Sequence, residues 1–123
     1  MQPSTFVILY VAQPATSTEF YAQLLGAAPV EQSPTFAMFV LSPGVMLGLW
    51  GKDGVSPAPT AAGGGGELAF VLPNDAAVDA RHAEFVARGL PVIEAPTARD
   101  FGYAFTAVDP DGHRIRYFAP VGM

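Results

Sequence analysis

One order of predicted elements occurs twice in this chain, and this internal repeat limits the possible folds more than any other feature. In each half the residue pattern predicts a strand, then a helix, then three strands. A segment rich in glycine and proline, with four consecutive glycines at 63–66, separates the halves and has the composition of a flexible linker. The sequence therefore predicts one domain, residues 1–123, built from modules at 1–51 and 67–123 that are joined by a linker at 52–66.

The first module opens with an apolar run at 6–11 that is rich in β-branched and aromatic residues, as buried strands are. A helix is predicted to open near Pro14, with Thr16 or Ser17 as its N-cap and Gly26 as its C-cap. Strands are predicted at 30–32, 35–41 and 45–50, and a turn at 42–44 separates the last two.

The second module repeats this order. A strand is predicted at 67–72, followed by a helix that Asn74 or Asp75 caps, that runs to about Arg88 and that Gly89 closes. Strands are predicted at 91–94, 103–108 and 114–118, with a turn at 109–112 and a mobile segment at 96–100. The expected fold class is α+β.

Charge and composition argue against several classes of partner. The formal net charge is −5 and the six basic residues are scattered, so no nucleic-acid-binding surface is predicted. No apolar stretch suits a membrane span or a signal peptide, so we expect no membrane partner and a cytoplasmic location. The absence of cysteine rules out disulfides and thiolate metal sites.

Three segments, taken in order along the chain, carry a family resemblance. They are the opening strand and helix at 9–26, the Gly-Leu-Pro-Val step at 89–92, and the closing hairpin around Asp-Pro-Asp-Gly at 105–120. Together they resemble the vicinal oxygen chelate superfamily, which contains glyoxalases, bleomycin-resistance proteins and extradiol dioxygenases. The resemblance implies two βαβββ modules that form a cup-shaped, curved mixed sheet around a pocket. It also implies a homodimer, with modules paired within one chain or between two.

Metal-dependent members of this family take ligands from the first and last strand of each module. By resemblance these four positions fall on Phe6, Gly48, Glu67 and Arg116. One carboxylate beside a permanent cation is far short of a divalent metal site, so we predict neither a metal nor any other cofactor. We expect an ion pair between Glu67 and Arg116 instead, the alternative being that each is solvated at a pocket rim.

Strand side chains alternate between faces, so these four positions select the other residues of the cup face. Because several strands are apolar on both faces, the cup face is predicted to be a small-molecule pocket. Gly48 is expected to leave open space in its wall. The predicted ligand-binding residues are Phe6, Tyr10, Met46, Gly48, Trp50, Glu67, Tyr103, Arg114, Arg116 and Phe118.

The function predicted from these features is metal-independent binding of a small aromatic or hydrophobic molecule, as in drug-sequestering members of the family. No catalytic residue is predicted. Three alternatives stay open: a glyoxalase- or dioxygenase-like enzyme that uses a divalent metal with non-standard ligands, a metal-free enzyme with Glu67 as general base, and a structural module whose cup is filled by its own aromatic side chains.

Overall fold

The computed structural model describes residues 5–121, which divide into two compact units at 5–63 and 64–121. The boundary between the units falls inside the predicted linker. Each unit contains one helix and one four-stranded mixed sheet. The fold class is α+β, and both units have the βαβββ order that the repeat predicts. Neither helix is long and apolar enough to cross a membrane.

Besides a short 3-10 helix at Lys52–Gly54, unit 1 consists of one α-helix and four strands. These are β1 (Thr5–Val11), α1 (Pro14–Leu25), β2 (Glu31–Gln32), β3 (Phe36–Ser42) and β4 (Val45–Gly51). The strand order is β1-β4-β3-β2, with β1 parallel to β4 and the other pairs antiparallel. Helix α1 contacts β3 and β4, and Tyr21, Phe39, Leu47 and Leu49 are almost completely buried in the core.

Unit 2 repeats this arrangement. Its elements are β5 (Glu67–Val71), α2 (Asp75–Ala87), β6 (Val92–Arg99), β7 (Gly102–Val108) and β8 (Arg114–Pro120). The strand order is β5-β8-β7-β6, and β5 runs parallel to β8. Three aromatic rings form its core, because Phe85 meets Phe105 and Tyr117 edge-on while Phe105 and Tyr117 stack at 5.4 Å.

The start of α1 differs from the prediction. Pro14 is the first helical residue and Gln13 is the N-cap, so the predicted caps Thr16 and Ser17 lie inside the helix. Proline suits the first turn because its φ is already helical and its missing N–H would have no partner there. The presence of a proline at this position therefore decides where the helix begins.

The other helix ends agree with the sequence patterns. Gly26 ends α1 in the left-handed conformation, with φ of 67°. Asn74 caps α2, because its Oδ1 accepts a hydrogen bond from the backbone N–H of Ala77 at 2.8 Å. Gly89, with φ of 70°, follows α2 and turns the chain toward β6.

Strand β6 is the largest departure from the predicted elements. It was expected to stop at Glu94, yet it continues to Arg99, so most of the predicted mobile segment is strand. Pro96 is tolerated because β6 is the edge strand of its sheet and its register shifts between Glu94 and Thr97. The longer strand brings Arg99 within reach of Glu94.

A buried aspartate–histidine pair holds the turn between β7 and β8. The Oδ2 atom of Asp109 lies 2.8 Å from Nδ1 of His113, and Oδ1 accepts from the backbone N–H of His113 at 2.8 Å. This hydrogen bond raises the pKa of His113 above its ordinary value, against the opposing effect of burial. His113 is therefore a structural residue of the turn.

The Asp109–His113 pair makes stability depend on pH. Because the folded-state pKa of His113 is raised, its stabilising effect is complete below about pH 6.5, the pKa expected in the unfolded chain, and is lost as the pH rises through the folded-state value. We expect the free energy of unfolding, measured by urea titration, to fall as the pH rises over this range. His113→Gln should flatten the profile, whereas His82→Gln should keep it. An identical slope in wild type and His113→Gln would contradict this assignment.

Candidate functional site

One sheet face of unit 1 is apolar in every residue that the strand register places on it from β1, β3 and β4, and it carries a charge at its β2 edge, where Glu31 pairs with Met38. Helix α1 packs on the opposite face, where the fully buried core residues lie. The residues of the open face are Phe6, Ile8 and Tyr10 of β1, Phe36, Met38 and Val40 of β3, and Met46, Gly48 and Trp50 of β4. We call this set the apolar face. Phe6 is 48% exposed and Val40 is 52% exposed, so the apolar face presents large hydrophobic side chains to the surface.

Tyr10 and Trp50 form the aromatic end of the apolar face. They are register partners in the parallel β1–β4 pair, and their ring centroids lie 6.3 Å apart with planes at 80°. Tyr10 is 38% exposed and Trp50 is half-buried. Such rings offer large contact areas to a flat molecule.

Gly48 and Met46, two other predicted site residues of unit 1, are covered by neighbouring side chains. Gly48 does not leave open space, because a Cβ atom there would lie 2.7 Å from Cδ1 of Ile8 and 2.9 Å from Cζ of Phe36. The two neighbouring side chains occupy the room that the glycine provides. Met46 is only 8% exposed. The expectation of a cavity at Gly48 is therefore wrong, and the apolar face is a filled, half-exposed surface.

The corresponding face of unit 2 carries charges, and the expected Glu67–Arg116 ion pair is present there. Nε of Arg116 donates to Oε2 of Glu67 at 2.9 Å, and Nη2 donates to Oε1 at 3.1 Å. This two-point contact matches the planar guanidinium to the carboxylate. Hydrogen bonding by Arg116 lowers the pKa of Glu67, so the carboxylate stays ionised and is a weak general base.

The residues at the four family ligand positions do not fit a divalent metal. Both carboxylate oxygens of Glu67 are occupied by Arg116, and the other positions are a phenylalanine, a glycine and the arginine itself. Within residues 5–121 no group of three His, Asp or Glu side chains is arranged to hold a metal ion. No chemical step at these positions can be derived through a metal.

A pocket of about 480 Å³ opens beside the ion pair on the same face of unit 2. Its lining includes Glu94, Arg99, Phe101, Thr106, Arg114 and Arg116. Arg99 forms a salt bridge with Glu94, and this contact lowers the pKa of the Glu94 carboxyl. The guanidinium of Arg116 lies 5.7 Å from the ring centre of Phe101, which is a cation–π distance.

Thr106 is the one buried side chain within residues 5–121 whose polar atom lacks a hydrogen-bond partner. The residue is 2% exposed and lines the pocket. It is the register partner of Arg116 on β8 and of Glu94 on β6, so its side chain shares their face of the sheet. An unpaired buried hydroxyl costs free energy, so a group inside the pocket that could bond to it would be favoured.

The remaining predicted residues of unit 2 lie in two places. Phe118 is on the charged face, where its ring meets that of Phe101 at 5.7 Å. Tyr103 is separated from it, because the alternation of β7 turns Tyr103 toward α2, where its hydroxyl donates to Asp79 at 2.7 Å. Tyr103 therefore does not line the pocket with the charged residues.

Sequence reasoning missed the pocket residues Ile93, Glu94, Arg99 and Thr106. The early end predicted for β6 left Arg99 outside the sheet, and Glu94 was the last residue of the predicted strand without being assigned to the site. Thr106 had a usable signal, since it is the only polar side chain within β7 apart from the Tyr103 hydroxyl. Extending the alternation from β8 to its neighbour would have placed Thr106 opposite Arg116.

Comparison with known proteins gives the family. The sequence profile of the Glyoxalase/Bleomycin resistance protein/Dioxygenase superfamily matches residues 5–117. The phenazine antibiotic resistance protein EhpR of Enterobacter agglomerans is 30% identical over an alignment of 114 residues, and the alignment covers 89% of this chain and 85% of that protein.

Solved structures agree with this match. An Agrobacterium tumefaciens protein known from a solution NMR structure is 51% identical with a TM-score of 0.84, and the alignment covers 99% of each chain. A glyoxalase/bleomycin resistance protein/dioxygenase from Nocardioides is 26% identical with a TM-score of 0.81, covering 99% of this chain and 85% of the other. The chain therefore belongs to the Glyoxalase/Bleomycin resistance protein/Dioxygenase superfamily.

Proposed function

We propose that this protein binds a small planar aromatic molecule without a metal ion and that it sequesters a drug or metabolite. The observation that carries the proposal is the apolar face of unit 1, to which β1, β3 and β4 contribute only apolar residues and where several aromatic rings are half-exposed. Glu31 borders this face at the β2 edge. Exposed apolar surface of this kind is characteristic of interaction sites. Aromatic rings hold flat molecules by stacking and edge contacts.

The named relative supports the choice of ligand class. EhpR is called a phenazine antibiotic resistance protein, and phenazine is a flat three-ring aromatic. The identity of 30% extends over most of both chains. Phenazine is therefore the first probe of choice, and other flat aromatic drugs form the rest of a test panel.

Metal independence is supported by the chemistry of Glu67 and Arg116. A metal at Glu67 would have to displace a two-point hydrogen-bonded guanidinium and then lie beside its positive charge. The competing function, a glyoxalase- or dioxygenase-like enzyme, requires that metal. The metal-free enzyme is disfavoured as well, because a carboxylate with a lowered pKa accepts a proton poorly near neutral pH.

The first prediction concerns Trp50, the only tryptophan in the chain. Titration of the purified protein with phenazine should quench Trp50 fluorescence, and the quenching should saturate. A parallel titration of free N-acetyltryptophanamide corrects for the light that phenazine itself absorbs. Phe6→Ala should raise Kd about three- to tenfold, since an aromatic contact contributes about 0.5–1.5 kcal/mol beyond its buried area.

The matched control is Val86→Ala, which truncates another exposed apolar side chain, on α2 in the other unit. Its Kd should equal that of the wild type. If no member of the aromatic panel changes Trp50 fluorescence, the proposal is contradicted and a structural module is favoured. An unchanged Kd in Phe6→Ala would remove the apolar face from the binding site.

The second prediction concerns metal content. Elemental analysis of the protein should find no stoichiometric zinc, nickel, manganese or iron, and dialysis against EDTA should leave the phenazine Kd unchanged. Arg116→Ala should not create metal binding, since a single carboxylate is left. Stoichiometric metal in the wild type, or loss of binding after EDTA treatment, would favour the enzyme alternative.

We also propose that the protein is a homodimer and that it is cytoplasmic. The edge strands β1 and β5 each lie at the end of their sheet, and edge strands can pair with another chain, which favours the homodimer that the resemblance implies. Light scattering of the purified protein should give twice the monomer mass of 12.9 kDa. A monomer at micromolar concentration would contradict the homodimer. A cytoplasmic location stays a prediction.

A further inference from the structure

We propose that the pocket of unit 2 binds the carboxylate of an aromatic acid, with Arg114 as the charged partner and the Thr106 hydroxyl as a second hydrogen-bond donor. This inference rests on the proposed function, because it takes the ligand to be a small aromatic molecule. It adds a second binding site, within unit 2 alone, for a ligand that carries a single negative charge.

The positive and negative charges around the pocket are unequal in number. Two carboxylates, Glu67 and Glu94, face three guanidiniums, Arg99, Arg114 and Arg116, which leaves one positive charge in excess. The rest of the chain is acidic, with a formal net charge of −5. A local positive excess in an acidic protein attracts an anion to that place.

Arg114 is the guanidinium that supplies this excess. Arg116 is engaged by Glu67 through both carboxylate oxygens, and Arg99 is engaged by Glu94. Among residues 5–121, no ion pair or side-chain hydrogen bond involves Arg114, and the residue is exposed. Its planar donor group is therefore available for a two-point contact with an oxyanion.

Thr106 provides an observation that is independent of charge. Its hydroxyl is buried without a partner in the described part of the chain, and its side chain lines the same pocket. A hydroxyl can donate to an oxyanion and would then lose its desolvation penalty. The Thr106 hydroxyl and the guanidinium of Arg114 lie on one face of one sheet, because Thr106 is paired with Arg116, two residues along β8 from Arg114. Glu67 and Glu94 act on Arg114 electrostatically without forming a salt bridge with it.

Two aromatic rings beside the charged groups fit the rest of such a ligand. Phe101 lines the pocket, is 45% exposed, and contacts Phe118 edge-to-face. A ring attached directly to the carboxylate would lie against Phe101 while the carboxylate faces Arg114. The single excess charge fits a carboxylate better than a phosphate monoester, which carries nearly two negative charges at neutral pH.

The test compares two probes that differ only in charge, phenazine-1-carboxylate and phenazine-1-carboxamide, by isothermal titration calorimetry at pH 7.5 and low salt. The full-length wild-type protein should bind the acid at least tenfold more tightly than the amide. Arg114→Gln should abolish this preference. Arg88→Gln, which makes the same change of charge at an exposed position outside the pocket, should keep it.

Thr106→Val tests the hydroxyl separately. It should weaken binding of the acid about three- to tenfold, while the thermal midpoint of the free protein stays the same or rises because an unpaired buried hydroxyl is removed. Loss of acid binding with a falling midpoint would indicate a structural role and would contradict the assignment of Thr106 to the ligand.

The outcomes separate this inference from the proposed function. If phenazine binds but phenazine-1-carboxylate binds no more tightly than phenazine-1-carboxamide, the carboxylate site is wrong and the binding function stands. If Arg114→Gln keeps the tenfold preference, the carboxylate site is wrong as well. If phenazine, its acid and its amide all fail to bind, both proposals fail. Tighter binding of 1-naphthyl phosphate than of 1-naphthoate would replace the carboxylate with a phosphate and contradict the inference.

Discussion

Parallel hydrogen bonding between the first and the last strand of each module is the constraint on which the rest of the structure depends. It brings β1 beside β4 and β5 beside β8, although more than thirty residues of chain separate the partners. In unit 2 it pairs Glu67 with Arg114. Arg116 pairs with Ala69, which lies two residues after Glu67 on β5. Because side chains alternate with a period of two, a slip of one residue would turn Glu67 toward the core and Leu68 toward solvent. The packing of the apolar core against α2 therefore fixes the register, and the register makes the Glu67–Arg116 contact possible.

The two units share one topology and differ in the chemistry of one sheet face. The positions that hold Glu67 and Arg116 in unit 2 correspond to Phe6 and Gly48 in unit 1, as the alignment of the repeat indicates. In unit 1 the space over Gly48 is occupied by Ile8 and a neighbouring ring, so the face is closed by packing. In unit 2 the paired charges hold polar groups at the surface. The salt bridge is partly exposed, with side-chain exposures of 17% for Arg116 and 36% for Glu67, so its contribution to stability is modest.

The sequence was sufficient for the order of elements and most helix ends, because periodicity and capping are local properties. It was insufficient wherever tertiary position overrides a local rule. Pro96 reads as a strand breaker, yet the edge position of β6 removes the need for its N–H. Tyr103 was assigned to the pocket without tracing the alternation of β7, which turns it toward α2. Gly48 was interpreted as empty space because a sequence carries no information on which side chains fill a gap.

Thr106 is stronger evidence for a bound ligand than Arg114 is. An exposed arginine is hydrated at little cost, so Arg114 alone would indicate no more than a charged surface. A buried hydroxyl is different, because this one has no hydrogen-bond partner in the described part of the chain, which costs about 1–3 kcal/mol. Valine has nearly the same shape and a higher β propensity, so stability alone would favour valine at this position of β7. The hydroxyl is thus the feature of unit 2 that folding does not explain, and its position on the same sheet face as the guanidinium of Arg114 gives it a chemical use.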